Sequence, residues 1–319
     1  MGQTDKQRGA SKGKPLLRDR GSAEGAADRV AQEKTLRTIE IRTNRLATEQ
    51  LSGDYRSVIK GQGLSFREVR QYQPGDDVRA IDWNVSARMD EAYIKVFVEE
   101  REMTVMLVVD ISKSSRFGTA RLNKSRLAAE VAALCAFSAN QHNDRVGLIL
   151  ATDEVEQVIP PKKGRKHVMR VVREILSTEA RRSGTDLSAA LEMLYMVARR
   201  RSVAFLISDF YATDYERSLS LAAARHDVIP IMLTDPRDAE LPDVGLAAFE
   251  DLETGEEVLV DTSSPSVRAY YARQARDERA RHVALFRKLG LDHCEVRTDR
   301  PYIKPLRDLF ARRAKRVHR

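Results

Sequence analysis

Asp110, Ser112 and Ser114 are the residues of this 319-residue chain best spaced to do chemistry together. They follow Val105-Met-Leu-Val-Val109, five apolar residues with no polar break. Such a run reads as a strand buried on both faces, at the centre of a parallel sheet. Asp110 arrives where that strand should end. In an extended or gently curling loop, residues two apart point the same way. One carboxylate and two hydroxyls then converge just beyond the carboxyl end of a strand, where open α/β sheets bind their ligands. Hard oxygen donors of this kind suit Mg²⁺ or Mn²⁺ rather than zinc. The plainer alternative is a polar turn whose Asp and Ser satisfy loop backbone groups.

Two later stretches add donors of the same kind. Ser183-Gly184-Thr185-Asp186-Leu187 puts Thr185 and Asp186 at the start of a helix, where both also serve as N-caps. Phe205-Leu-Ile-Ser-Asp209 again ends an apolar strand in an acid. If the two strands are neighbours, Asp209 lies beside Asp110 and Thr185 reaches the same space from its loop. Two carboxylates that close disfavour joint ionisation, so one pKa should rise in the absence of a cation.

The elements that must hold these residues alternate between strand and helix. Strands are expected at Val146–Ala151, Val155–Ile159, Val203–Ser208, Val228–Leu233 and Cys294–Thr298. Helices are expected at Ser125–His142, Val168–Leu176, Asp186–Ala198, Tyr215–Arg225, Val267–Leu289 and Ile303–Arg316. This alternation predicts a doubly wound α/β sheet. Ala248–Asp251 and Glu257–Asp261 read as a hairpin around Thr254-Gly255. Upstream, residues 30–51 have a helical stripe, and Ala92–Glu99 reads as a strand leading into the central one. Between them, Phe66, Val69 and Tyr72, then Val78, Ile81 and Trp83, flank the turn signal Pro74-Gly75-Asp76. Those apolar pieces suggest a compact hairpin laced with ion pairs among Arg67, Arg70, Arg79 and Arg88 and Glu68, Asp76, Asp77 and Asp82. A docking surface, or a nest of catalytic acids and bases, is the sharper alternative there.

The order Asp110-x-Ser112-x-Ser114, Thr185, Asp209 resembles the metal-ion-dependent adhesion site of von Willebrand factor A domains. The run Phe66-Arg-Glu-Val-Arg-x-Tyr-x-Pro-Gly-Asp-Asp-Val-Arg-x-Ile-Asp-Trp83, followed by Ser86-Ala-Arg88, resembles the signature of a bacterial family catalogued as domain of unknown function 58, which carries an A-like domain. The resemblance implies a Rossmann-like A-type sheet, with an N-terminal helix and a small β-rich addition. It also implies that Ser112, Ser114 and Thr185 touch a Mg²⁺ or Mn²⁺ ion directly. Asp110 and Asp209 would bind that ion directly or through water, and a client protein's carboxylate would complete the shell. Members of the family typically occur beside MoxR-type AAA+ ATPases. A non-catalytic adaptor acting with such an ATPase, in chaperoning or maturing other proteins, is therefore implied.

The rest of the sequence bounds this reading. The formal charge is +8, yet residues 1–30 and 301–319 hold the excess and residues 31–300 are close to neutral. Binding of nucleic acid through basic tails is the competing class of function. The expected organisation is a disordered basic tail over residues 1–28, a helix and β-rich segment over 29–100, and the A-like domain with its C-terminal basic helix over 101–319. No run reaches the length of a membrane span, and residues 1–30 have no apolar stretch of a secretory signal. A soluble, cytoplasmic protein is expected, with Cys135 and Cys294 as reduced core thiols. Gly118–Ser125 falls short of a P-loop, since Asn123 stands where the second Gly belongs, and Lys124 reads as a solvated residue at a helix start. A haloacid dehalogenase-type phosphatase would carry a second Asp at position 112, which here is Ser. The six histidines form no ligand spacing and read as surface or loop residues.

Overall fold

The structure is a computed structural model that describes residues 37–39, 41–43, 45–47, 65–89, 91–98, 102–119, 122–182, 184–250 and 256–317. The expected tail over 1–28, Ser183 and the Thr254-Gly255 turn lie outside the described residues. The elements run β1 (Ser65–Gln71), α1 (Trp83–Met89), β2 (Tyr93–Val98), β3 (Thr104–Asp110), α2 (Lys124–Gln141), β4 (Arg145–Ala151), β5 (Val155–Lys162), α3 (Arg165–Ser177) and α4 (Leu187–Val197). They continue with β6 (Val203–Ser208), α5 (Glu216–Arg225), β7 (Asp227–Thr234), α6 (Pro236–Ala239), β8 (Leu246–Glu250), β9 (Glu257–Asp261), α7 (Pro265–Lys288), β10 (Cys294–Arg297) and α8 (Ile303–Val317).

Six strands form one sheet in the order β10-β7-β6-β3-β4-β5. All neighbouring pairs are parallel except β4–β5, a hairpin at the edge. The connections run outward in both directions from β3, as in a doubly wound sheet. The α/β expectation is met, and β3 lies where the chain reverses direction across the sheet. Side chains of a strand alternate between faces. Val105, Leu107 and Val109 of β3 accordingly pack with α2, α3 and α8, while Met106 and Val108 pack with α4, α5 and Phe286 of α7. Both faces are covered, so the apolar run needs no polar break. The described residues between 37 and 47 are helical, and Ile39 and Ala47 join the α2 side of the core.

Three expectations fail. β1 does not turn back on itself at Pro74-Gly75; it pairs antiparallel with β2, some twenty residues later. In between, Val78–Ala80 is a 3₁₀ turn and Trp83 opens α1 with 71 % of its surface exposed. The Asp77 carboxylate accepts from the Arg79 N–H and that of Asp82 from the Asn84 N–H, and these turn-starting bonds outcompete the β-propensity of Val, Ile and Trp. The strand expected at Ala92–Glu99 does form, as β2 of this separate two-stranded sheet. Of the expected ion pairs, Arg70 grips Asp76 through two bonds of 2.9 and 2.7 Å, and the Asp76 carboxylate also accepts from the Gln73 N–H. Finally, the histidines are not all at the surface: His226 is buried, and His282 sits within α7 with its Nδ1 2.7 Å from the Tyr215 hydroxyl. Both cysteines are buried free thiols, as expected.

Candidate metal centre

Parallel pairing of β3 with β6 sets Val109 opposite Ile207, so Asp110 and Asp209 leave the carboxyl rim from adjacent strands. Asp110 is the last residue of β3 and is buried. Its Oδ1 accepts the Ser112 N–H at 2.9 Å, which folds the loop back over the strand end. Ser112 is buried, Ser114 is half-buried within the turn Lys113–Arg116, and their hydroxyls are 2.8 Å apart. The two hydroxyls therefore do face the same way. Thr185 is half-buried in the loop before α4, one strand further along the rim. The Asp186 N–H bonded to the Thr152 carbonyl at 2.8 Å ties that loop to the end of β4.

Ser208 completes the group, and sequence reasoning passed over it. Its hydroxyl donates to Asp110 Oδ2 at 2.7 Å and accepts from the Phe210 N–H at 2.8 Å. One hydroxyl thus couples the two strand ends. Phe210 has φ +62°, a left-handed backbone that is strained for an aromatic residue. Its fully buried ring packs on Tyr215, His282 and Phe286, which holds the strained residue, and with it Asp209, in place. The signal was available, since Ser208 directly precedes an acid that closes an apolar strand.

Lys124 is the larger surprise. It is 1 % exposed, and its ammonium lies 3.1 Å from Asp209 Oδ2 and 3.0 Å from Asp238 Oδ2. Burial works against its charge, but the two carboxylates outweigh that and raise its pKa above the ordinary value. The expectation of a solvated lysine is overturned, because the acids that draw it inward lie far off in sequence. Asp238 in turn caps the Asp235 N–H at 2.7 Å, and Asp235 accepts from Thr119 and Thr298.

Asp209 and Asp238 share the Lys124 ammonium, whereas among the described residues Asp110 has no ion pair and accepts from the uncharged Ser112 and Ser208. Burial and the neighbouring Asp209 charge push the Asp110 pKa up to about 6, against the pull of those hydrogen bonds. A recess of about 380 Å³ opens beside it, lined by Asp110, Ile111, Asn123, Ser125 and Thr178 among others. Among the described residues no three His, Cys, Asp or Glu side chains are grouped to hold a metal. The candidate set offers two carboxylates, with hydroxyls as its other donors. That donor set fits a hard divalent cation and not a soft one.

The model of the family described as Protein of unknown function DUF58 matches residues 68–281. The chain belongs to the DUF58 family. Uncharacterized protein Rv1480 of Mycobacterium tuberculosis is 37 % identical over 273 residues, covering 84 % of this chain and 85 % of the relative. YeaD of Bacillus subtilis is 24 % identical over 173 residues, 54 % of this chain and 40 % of that protein. Two solved structures are similar at lower identity. BatB from Bacteroides thetaiotaomicron is 15 % identical with a TM-score of 0.42, covering 67 % of this chain and 99 % of that one. The SpRpn10 VWA domain is 11 % identical with a TM-score of 0.37, covering 66 % and 94 %. In this DUF58 chain the strand order itself, rather than these likenesses, defines the fold. No helix among its described residues is long and apolar enough to cross a membrane.

Proposed function

We propose that this DUF58 chain is a non-catalytic protein-interaction module whose contact is completed by Mg²⁺ or Mn²⁺ held among Asp110, Ser112, Ser114, Thr185 and Asp209. The observation that carries this reading is the buried Asp110 beside the Asp209 charge at the β3–β6 strand ends, with two hydroxyls 2.8 Å apart in the loop that follows it. Such an ion keeps water wherever protein offers no oxygen, which leaves a position for a carboxylate of a client protein. The resemblance to adhesion sites supports that use. A non-catalytic role is supported by position 112: a phosphatase of the haloacid dehalogenase type would need an acid there, and the buried Ser112 hydroxyl instead meets Ser114.

The partner belonging to this reading is a MoxR-type AAA+ ATPase, on the resemblance of the Phe66–Arg88 run to a family found beside such enzymes. The chain would act as its cytoplasmic adaptor in chaperoning or maturation. Immobilised full-length protein should retain the cognate ATPase in Mg²⁺ and release it in EDTA, and Ser112→Ala should retain far less while folding normally. Equal retention by wild type and variant, in Mg²⁺ and in EDTA, would remove the metal from the contact. No retention at all would remove the ATPase.

A further inference from the structure

Lys124 stands where a lysine is least expected. It is the first residue of α2, and a helix N-terminus carries partial positive charge that disfavours a cation. Burial disfavours the ammonium as well. Two carboxylates hold it there, assisted by the Phe117 and Tyr211 rings at 5.8 and 5.0 Å from Nζ. Helix preferences do not explain the position; the acids do.

The consequence falls on Asp209. Its Oδ2 is committed to Lys124 and its Oδ1 accepts the Tyr211 N–H at 3.2 Å. A divalent ion among Asp110, Ser112 and Ser114 would meet an Asp209 already half-neutralised, with a like charge just behind it. We infer that Lys124 is an internal cation that competes with the divalent metal for Asp209, gating the site so that metal entry weakens the Lys124–Asp209 pair and leaves the ammonium on Asp238. Asp238 suits that second role. It lies 3.0 Å from the ammonium, in α6, where it also caps the Asp235 N–H. Metal occupancy is thereby passed to the end of β7 through one lysine. This inference rests on the metal reading above, and the experiment separates the two.

The measurement is Mn²⁺ binding to the full chain at neutral pH, read from the loss of the free-ion electron paramagnetic resonance signal. Removing the buried charge in Lys124→Met should tighten binding by about tenfold or more, because Coulomb energies are large at low effective dielectric. Asp238→Asn leaves Lys124 wholly to Asp209 and should weaken binding several-fold. Lys113→Met is the control: that lysine lies between the two serines in sequence but is exposed, so its screened charge should matter less than about threefold. Circular dichroism checks folding; should Lys124→Met not fold, Asp238→Asn carries the test, and wild-type affinity in it overturns the gate. Binding by Lys124→Met alone supports it. Unchanged or weaker binding in Lys124→Met, or equal tightening in Lys113→Met, overturns the gate and leaves the metal site standing. If neither wild type nor Lys124→Met binds Mn²⁺, both ideas fall.

Discussion

Asp110→Asn isolates the electrostatic cost of the site. Burial and Asp209 raise the Asp110 pKa from 3.8 to about 6. A shift of roughly two units corresponds to ~3 kcal/mol of penalty on the ionised form. An acid whose folded pKa is raised contributes most to stability below its unfolded pKa of 3.8, and that contribution is lost as pH rises through about 6. The variant should therefore melt close to wild type near the lower end of that window, pull ahead across it, and hold a constant lead above it. The amide can keep both contacts: its oxygen accepts from the Ser112 N–H, and its NH₂ can donate to Ser208, whose hydroxyl now turns. Allowing for imperfect replacement, the lead in EDTA at alkaline pH should be about 1–3 kcal/mol, which at this chain length of 319 residues is at most ~2 °C per kcal/mol. Metal works against that lead. At roughly ten times its dissociation constant, Mg²⁺ adds about 1.4 kcal/mol to wild type and little to the variant. Thermal melts across pH, with EDTA and with Mg²⁺, supply every number needed. A variant less stable than wild type at alkaline pH in EDTA, or one that keeps the full Mg²⁺ shift, would refute the reasoning.

Two further substitutions test what holds the rim. Ser208→Ala removes the hydroxyl shared by Asp110 Oδ2 and the Phe210 N–H, leaving a buried donor and a buried acceptor short. Urea unfolding should show a loss of about 1–3 kcal/mol, and a loss near zero would mean the two strand ends are not coupled through it. Gly118→Ala places a methyl group 2.4 Å from the Asn123 Cα, a backbone atom that cannot swing aside. The loop before α2 must shift, at about 1–3 kcal/mol, and unchanged stability with unchanged Mn²⁺ affinity would show that the loop moves freely.

Much of this was legible because both-face burial leaves a strong mark. The runs Val105–Val109, Val203–Ile207 and Val228–Leu233 contain no polar residue, and each is a strand of the central sheet. The acids at the ends of the first two marked the candidate site. Adjacency was not legible: nothing in either run says that β3 lies beside β6, and only that pairing brings Asp110 and Asp209 together. Lys124 was misread for the same reason. Its neighbours Asn123, Ser125 and Arg126 are polar, and its partners Asp209 and Asp238 reach it only through the tertiary fold. Trp83 and Val78 misled in the opposite way, since apolar type suggested strand where aspartate hydrogen bonds set turns.

On the metal reading proposed above, the rim would favour a cation at one strand end over its neighbours. Three strands adjacent in the sheet, β3, β6 and β7, are followed or closed by an acid: Asp110, Asp209 and Asp235. Burial pushes Asp235 upward, but hydrogen bonds from Thr298, the Arg237 N–H and Thr119 outweigh it and hold its carboxyl below the usual range. Asp209 has an ammonium at 3.1 Å, shared with Asp238. Among the described residues Asp110 has hydrogen bonds from Ser112 and Ser208 and no ion pair, and burial with the Asp209 charge pushes it up to about 6. Residue type is the same in all three cases and each acid stands at or just past a strand end, so the partners decide the outcome. A divalent ion placed at Asp235 would have to displace donors that already satisfy it. At Asp209 it would meet Lys124 first. Beside Asp110 it would displace no ion pair of that carboxylate among the described residues and would relieve the repulsion from Asp209, so on the proposed reading the β3 end is where binding would lower the free energy most.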